Sequence, residues 1–323
     1  MSAPTPTGYQ IGTEILPVFD NRVVFAETLI ALAEKDPRIV AVCNDSVGSS
    51  NLGAFKERFP DRLINVGIAE QNMVGVGAGL ANAGMIPFVC GAGPFITGRA
   101  LEQVKADVAY SQLPVILCGM SPGMAYGELG PTHHSVEDLS WLRALPGLDI
   151  VIPVDEVQIK QAIQWAAKDP HPMYIRVGRH KVPNVLGESA SFVRGSFQKL
   201  SSGTDVAILA AGTMVSRALA AKELLQKDGI SATVVNVPFI SPFDDAGLRA
   251  LATEHKLLIS VEEANISGGL GAAVAVELAK LPDAPKLLVL GTTDWSPTLS
   301  TESLFEHFGL TAQNIAARAR EEL

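Results

Sequence analysis

Charged residues are scarce in this sequence. Asp, Glu, Lys and Arg make up 18 % of its 323 residues, whereas hydrophobic residues make up 47 %. A chain of this length can bury one core in each of two domains, but so little charge leaves apolar surface that we expect another subunit to cover. The net charge is −9 and Lys and Arg form no cluster, which excludes nucleic acid as a partner.

Cysteine is also rare. Cys43, Cys90 and Cys118 lie far apart, each within an apolar stretch, and no pair has the spacing of metal ligands. We therefore expect buried thiols in a reducing compartment and no disulfide framework. Residues 1–14 lack the basic segment and apolar segment of a signal peptide, so the sequence predicts a cytoplasmic protein.

One long uncharged stretch covers residues 71–98, which is longer than a membrane-spanning helix needs to be. Seven glycines and two prolines interrupt it. Such interruptions favour a buried helix, a turn and a strand, so no membrane partner is expected.

Short runs rich in β-branched residues alternate with longer helical patterns along the whole chain. This alternation is typical of an α/β fold in which helices cover a parallel sheet. We predict two domains, residues 1–190 and 191–323, joined through a polar linker between about 182 and 203. The predicted strands are residues 39–43, 63–66, 87–90, 115–118, 150–152, 173–177, 197–200, 206–210, 233–237, 257–261 and 287–290. The predicted helices are residues 22–35, 70–82, 99–110, 136–145, 156–167, 215–227, 244–253 and 270–281.

Glu70 is the only charged residue between Ile64 and Gly98. The motif Asn65-Val-Gly-Ile-Ala-Glu70 places its carboxylate in the first turn of a helix. Apolar surroundings raise the pKa of a carboxylic acid by more than a helix terminus lowers it, so we expect a raised pKa for Glu70. Such a group suits general acid/base catalysis, and an exposed glutamate at a helix terminus is the alternative.

A glycine-bounded loop carries two adjacent histidines in the motif Gly127-Glu-Leu-Gly-Pro-Thr-His133-His134-Ser135. Asp138 follows Ser135 by three residues, which predicts that Ser135 caps a helix whose N-terminus lies beside both histidines. That environment suits binding of a polarised oxygen or an anion. A structural histidine pair is the alternative, and a metal site is disfavoured because adjacent side chains diverge.

Two further motifs contain candidate anion contacts. Arg176 and Arg179 lie at the end of a predicted strand, where open α/β sheets bind ligands, although surface arginines would give the same pattern. Gly268 and Gly269 lie where a strand passes into a helix. Tight packing of that helix explains the glycines better than a phosphate site, because two acidic residues precede them.

These motifs together resemble those of transketolases and their relatives, from about residue 20 to the end of the chain. The resemblance implies a pyrimidine-binding domain of thiamine-diphosphate enzymes followed by a smaller α/β transketolase C-terminal domain. It also implies that Glu70 bonds N1′ of the cofactor's aminopyrimidine ring and that His133 contacts the donor substrate. The implied reaction transfers a two-carbon ketol unit from a ketose to an aldose.

The same resemblance assigns weaker roles to other residues. Phe95 matches the aromatic residue that packs on the pyrimidine ring, and Asp45 matches an aspartate close to the cofactor. Ser50 and Arg179 match contacts to the substrate phosphate, and His134 adjoins the substrate histidine as a further candidate.

Three positions depart from the family pattern. A family aspartate is Leu129 here, a family histidine is replaced near Ser121, and the first aromatic residue of the pyrimidine pocket is lost at Ala92. The first two positions contact substrate hydroxyl or phosphate groups in ordinary transketolases. The resemblance therefore implies a substrate other than the usual pentose phosphate.

Gly-Asp-Gly, the family motif that binds the diphosphate through Mg²⁺, is absent from the sequence. We therefore expect a separate N-terminal transketolase subunit to carry that site and the Mg²⁺, in an α₂β₂ heterotetramer. The alternatives are the β subunit of a 2-oxoacid dehydrogenase decarboxylase component, a fragment of a deoxyxylulose-phosphate synthase and a non-catalytic regulatory subunit.

Overall fold

The computed structural model describes residues 8–323 as an α/β protein with three sheets, and it confirms the predicted fold class. Most predicted strands are present, and those at the centres of the two large sheets are continuous apolar runs buried on both faces, such as residues 39–43 and 206–210. The strands are β1 (Gly8–Ile11), β2 (Glu14–Phe19), β3 (Ile39–Cys43), β4 (Leu63–Asn65), β5 (Ile86–Ala92), β6 (Ile116–Met120), β7 (Asp149–Val151), β8 (Met173–Val177), β9 (Val182–Pro183), β10 (Gln198–Ser201), β11 (Val206–Ala210), β12 (Ala232–Asn236), β13 (Phe239–Ser241), β14 (Leu257–Asn265) and β15 (Lys286–Thr292).

The helices cover both faces of the two larger sheets, and none of those in residues 8–323 is both long and apolar enough to span a membrane. They are α1 (Asn21–Ala33), α2 (Gly53–Arg58), α3 (Glu70–Asn82), α4 (Leu101–Gln103), α5 (Asp138–Arg143), α6 (Glu156–Lys168), α7 (Met214–Lys227), α8 (Asp245–Glu254), α9 (Leu270–Leu278), α10 (Thr301–His307) and α11 (Ala312–Glu322). In place of one regular helix over 99–110, the chain forms π-helical turns at Phe95–Arg99 and Val104–Tyr110 on either side of α4.

The largest sheet has the strand order β13-β7-β8-β6-β5-β3-β4, and all its strands except β13 are parallel. The chain passes from β3 outward to β4 and then returns to the other side of β3 with β5. Connections leave β3 in opposite directions, which opens a crevice beyond the carboxyl ends of these strands. The three cysteines are buried and unpaired in this half of the chain, as predicted.

The second large sheet has the order β10-β12-β11-β14-β15, with β10 antiparallel to the others. Two features were not predicted from the sequence. A small antiparallel sheet joins β1, β2 and β9, and β13 crosses from the second half of the chain to pair with β7. The domain boundary at 190/191 stays a prediction, since β13 makes hydrogen bonds across it.

A buried ion pair lies where the two halves meet. Arg176 on β8 donates two hydrogen bonds to the carboxylate of Asp138, and Tyr174 donates a third at 2.6 Å. Arg176 also reaches the backbone oxygen of Glu263 in the second half, at 3.2 Å. Asp138 is fully buried, and these hydrogen bonds offset the desolvation cost of its charge.

Candidate active site

The crevice beside β3 collects side chains from three successive connections. Asn44 follows β3, Glu70 is the first residue of α3 after β4, and Phe95 follows β5. Because the carboxyl ends of parallel strands share one edge of the sheet, residues 26 and 25 positions apart become neighbours here. The prediction that Glu70 begins a helix is confirmed.

Glu70 is the buried acid of this crevice, with 2 % of its surface exposed. Its Oε1 accepts a hydrogen bond from Asn44 Nδ2 at 2.9 Å, and its Oε2 accepts one from Arg99 Nη1 at 2.8 Å. Burial raises the pKa of Glu70, but the bonds from Arg99 and Asn44 together outweigh it, so the pKa lies below its usual value. The raised pKa predicted from the sequence is therefore wrong for this arrangement, because the sequence pattern gave no sign of either donor.

A row of aromatic rings leads away from this carboxylate. The ring of Phe95 lies 5.3 Å from that of His133, and the ring of Tyr126 lies 6.0 Å from it, both in edge-to-face contacts. The Arg179 guanidinium lies over Tyr126 at 5.4 Å. His133 is half-buried, and its Nδ1 is 3.0 Å from Thr132 Oγ1. The row therefore extends from Phe95, near Glu70, to the exposed Arg179.

The predicted helix cap at Ser135 is wrong. Helix α5 begins at Asp138, its N-cap is Glu137 without a side-chain hydrogen bond, and Ser135 instead pairs with Gly123 through backbone hydrogen bonds. The histidines therefore lie in an irregular loop and not at a helix N-terminus. This pairing uses both backbone polar groups of Ser135, and the helix begins two residues later than predicted.

His134 holds this loop from inside. It is buried, and its Nε2 donates a hydrogen bond to the backbone oxygen of Gly127 at 2.9 Å. Burial lowers the pKa of its imidazole, which favours the neutral form. A contact between His134 and a substrate would require the loop to move, and its substrate role stays a prediction.

Two glycines let the same loop pack directly on the second half of the chain. A Cβ at Gly127 would lie 2.6 Å from the backbone oxygen of Leu299, and a Cβ at Gly130 would lie 2.6 Å from Thr298 Oγ1. Gly130 also has a φ of +74°, which L side chains rarely adopt. The position of His133 therefore depends on contact with residues 298–301.

Because His133 is the predicted substrate contact, we expect Gly130→Ala to lower the predicted activity by about ten- to a hundredfold while the fold persists. Steady-state kinetics with the thermal midpoint measured in parallel test this. Gly229→Ala is the matched control, since Gly229 also has a positive φ, +77°, but no atom of the described residues lies within 4 Å of its added Cβ. Equal losses in both variants would contradict a specific role for the Gly130 contact.

A cavity of about 480 Å³ lies beyond the ring row. Its wall includes Tyr126, Arg179 and the exposed Leu129, together with Ser300 and Thr301 from the second half of the chain. Arg179 is the one cation of the described lining, which also contains the carboxylate of Glu128. The lining thus combines polar side chains of both halves at one end of the crevice.

The other predicted site residues lie at the rim or below it. Asp45 is exposed next to Asn44. Ser50 and Ser121 are buried, and the hydroxyl of each has no hydrogen-bond partner within residues 8–323. Ala92 is buried at the end of β5 and adds no ring to the site.

The glycines at 268 and 269 form no phosphate site. Ser140 fills the space beside Gly268 and Glu262 fills the space beside Gly269. Glu262 also accepts hydrogen bonds from the backbone of Leu270 and Gly271 at 2.6 and 2.8 Å. This agrees with the packing explanation favoured by the sequence. Among residues 8–323, no group of three or more His, Cys, Asp or Glu side chains could hold a metal ion.

Sequence reasoning missed three residues of the crevice. Asn44 and Arg99 contact Glu70, and Tyr126 contacts His133. The available signals were positional, since Asn44 directly follows a buried strand and Arg99 lies four residues after Phe95. Neither spacing by itself identifies a partner for Glu70.

Two family models match the chain along its length. Residues 18–185 match the transketolase pyrimidine-binding domain, and residues 195–315 match the transketolase C-terminal domain. The chain belongs to the transketolase family. The transketolase resemblance seen in the sequence is thereby confirmed, and family membership implies dependence on thiamine diphosphate.

Relatives of similar length are named as subunits of transketolases. One, a subunit of the apulose-4-phosphate transketolase of Phocaeicola vulgatus, is 41 % identical, over 93 % of this chain and 96 % of its own. The 6-deoxy-6-sulfo-D-fructose transketolase subunit SqwH of Clostridium sp. is 38 % identical, over 93 % of both chains. A solved structure of a split-gene transketolase, an inactive β4 tetramer, has a TM-score of 0.85 and 34 % identity, over 93 % of this chain and 97 % of its own.

Proposed function

We propose that this chain is the pyrimidine-binding subunit of a two-chain transketolase that transfers a two-carbon ketol unit from a ketose to an aldose. The observation that carries the proposal is the buried Glu70 carboxylate, which lies beside Phe95 and His133 at the crevice of the first sheet. Those three side chains provide an acid, a flat apolar surface and a substrate contact within one site.

The residues present fit the aminopyrimidine ring of the cofactor. One carboxylate oxygen of Glu70 bonds Arg99, whose side chain is half-exposed. The half-buried ring of Phe95 lies beside this pair. A planar ring with a protonated nitrogen matches both. We assign Glu70 to N1′ of that ring and Phe95 to its face, with Asp45 close by.

When bound, thiamine diphosphate supplies the nucleophilic carbon that adds to a ketose carbonyl. In this proposal Glu70 holds the proton at N1′ and so sets the basicity of the ring's amino group. Phe95 and the ring row exclude water from one side of the site. His133 donates a hydrogen bond to the substrate oxygen, and the loop contact at Gly130 fixes its distance from the ring.

The proposed substrate is a ketose with an anionic terminal group. The names of two relatives specify a phosphate and a sulfo group, and Arg179 is the cation of the cavity beyond His133. Ser50 and His134 complete the proposed substrate contacts. Leu129 stands in place of the family's aspartate and, being apolar, favours a sugar with fewer hydroxyl groups at that point.

The proposed assembly is an α₂β₂ heterotetramer in the cytoplasm, in which an N-terminal subunit binds the diphosphate and Mg²⁺. The sequence without Gly-Asp-Gly supports it, as do the relatives described as subunits and the similar β4 tetramer described as inactive. A separate partner would also cover Ile68, which is exposed two residues before Glu70.

Co-expression of this chain with the neighbouring open reading frame tests the proposal. We expect a stable complex that turns over anionic ketoses with an aldose acceptor when thiamine diphosphate and Mg²⁺ are supplied, whereas the chain alone is inactive. Pyruvate and branched 2-oxoacids serve as competing donors in the same screen. Turnover of those acids without ketol transfer would indicate a synthase or a dehydrogenase component, and turnover by the chain alone would contradict the two-chain assembly.

A further inference from the structure

Arg99 lies between the two residues to which the proposed function assigns the pyrimidine ring. Its Nη1 donates to Glu70 Oε2 at 2.8 Å, and its guanidinium carbon lies 4.2 Å from the centre of the Phe95 ring. A planar group that donates a hydrogen bond to Glu70 while stacking on Phe95 is also the description of the bound aminopyrimidine. The Arg99 guanidinium and the aminopyrimidine ring would therefore occupy the same position between Glu70 and Phe95.

We propose that Arg99 stands in for the aminopyrimidine ring in the subunit without cofactor, and that it leaves Glu70 and Phe95 when the ring binds. The inference rests on the proposed function, because Glu70 and Phe95 define the place of the ring. It adds a residue that controls how readily the cofactor enters.

The guanidinium is chemically suited to this role. It is planar, carries several N–H donors and stacks on aromatic faces. A buried carboxylate with an unpaired oxygen is costly, and Asn44 supplies a donor to only one oxygen of Glu70. Arg99 supplies the other, so it keeps Glu70 ionised and in position until the cofactor arrives.

Arg99 is also free to leave. Its side chain is 47 % exposed, whereas that of Glu70 is 2 % exposed. Water screens the exposed guanidinium, so this pair contributes less net free energy than the fully buried pair of Arg176 and Asp138. The pair can therefore hold both side chains in place before the cofactor binds and still be displaced by a ligand that other contacts hold.

The backbone directs both side chains to the same side. Phe95 and Arg99 begin and end one π-helical turn, which brings side chains four residues apart onto one face. Gly98 lies against the indole of Trp141, and a Cβ at Gly98 would be 2.6 Å from that ring. Trp141 therefore adjoins the turn that carries Arg99, and its fluorescence can report a change there.

The test measures binding of thiamine diphosphate with Mg²⁺ to the complete two-chain complex. We expect Arg99→Ala to lower the Kd for thiamine diphosphate by about three- to tenfold and to speed association. In wild type the ion pair between Arg99 and Glu70 has to break before the ring can bind, and in the variant that step is absent. Titration calorimetry gives the Kd, and stopped-flow tryptophan fluorescence gives the association rate. Arg99→Lys, which keeps the charge but loses the flat stack, should give a smaller gain.

Arg62→Ala is the matched control. Arg62 stacks on Phe59 at 3.9 Å in the same manner, but it donates to backbone oxygens and does not contact Glu70. It should leave the Kd unchanged. Binding to Arg99→Ala that is equal to or weaker than wild type would overturn the inference, while failure of the wild-type complex to bind thiamine diphosphate would reject the proposed function along with it.

Discussion

Glu70→Gln should lower kcat of the assembled enzyme by about 10²- to 10⁴-fold, the range that loss of a general acid/base group produces. Glutamine keeps the volume of the side chain and its hydrogen bond from Asn44, but it cannot hold or release a proton at the cofactor ring. We therefore expect the complex to assemble and to bind thiamine diphosphate within a few-fold of wild type. Steady-state kinetics and cofactor titration on the same preparation separate the two effects.

Glu102→Gln provides the comparison for this experiment. Glu102 is an exposed glutamate on α4, close in sequence to the turn that carries Arg99, and its carboxylate bonds only the neighbouring Gln103 among the described residues. It should retain wild-type kcat. Full activity of the reconstituted Glu70→Gln complex would instead favour the non-catalytic, regulatory interpretation of this chain.

Asp138→Asn should destabilise the chain by about 3–5 kcal/mol, the range for breaking a buried ion pair by removing one partner. Arg176 would stay buried with its charge uncompensated, and the bond from Tyr174 would go to a weaker, neutral acceptor. A guanidinium keeps its proton even when it is buried, so deprotonation of Arg176 cannot relieve the cost. Urea unfolding followed by circular dichroism measures the change in free energy.

An exposed ion pair serves as the reference for this prediction. Asp36 pairs with Arg38 at the surface, where the arginine side chain is 60 % exposed. Asp36→Asn should change the unfolding free energy little, since water screens that pair. If Asp138→Asn proved as mild as Asp36→Asn, the junction between the two halves would depend on packing and not on the buried charges.

Much of the scaffold could be predicted because its strands are local signals. Runs such as Ile39–Cys43 and Val206–Ala210 are apolar on both faces, and only a sheet covered on both sides accommodates them. Glu70 was identifiable for the opposite reason, as one charge in a long uncharged stretch. Its place at the start of α3 followed from the glycine before it.

The contacts of the site could not be predicted in the same way, because they join distant parts of the chain. Arg99 meets Glu70 across 29 residues and reverses the expected direction of its pKa shift. Ser135 has the spacing of a helix cap, but its pairing with Gly123 depends on the tertiary course of the loop. Roles for His133, His134, Ser50, Asp45 and Arg179 stay predictions, since geometry places these residues without testing them.

Strand β13 shows that a domain boundary in the sequence need not be a boundary in hydrogen bonding. Phe239 pairs with Val151 and packs against Trp165, so the first sheet is completed by residues that are synthesised after the linker. A fragment that stops at the linker would expose the edge of β7, which is prone to pair with other chains. Natural or engineered exchange of the C-terminal half between related enzymes is therefore constrained: the incoming half must bring a segment whose register matches residues 150 and 151 of its new host.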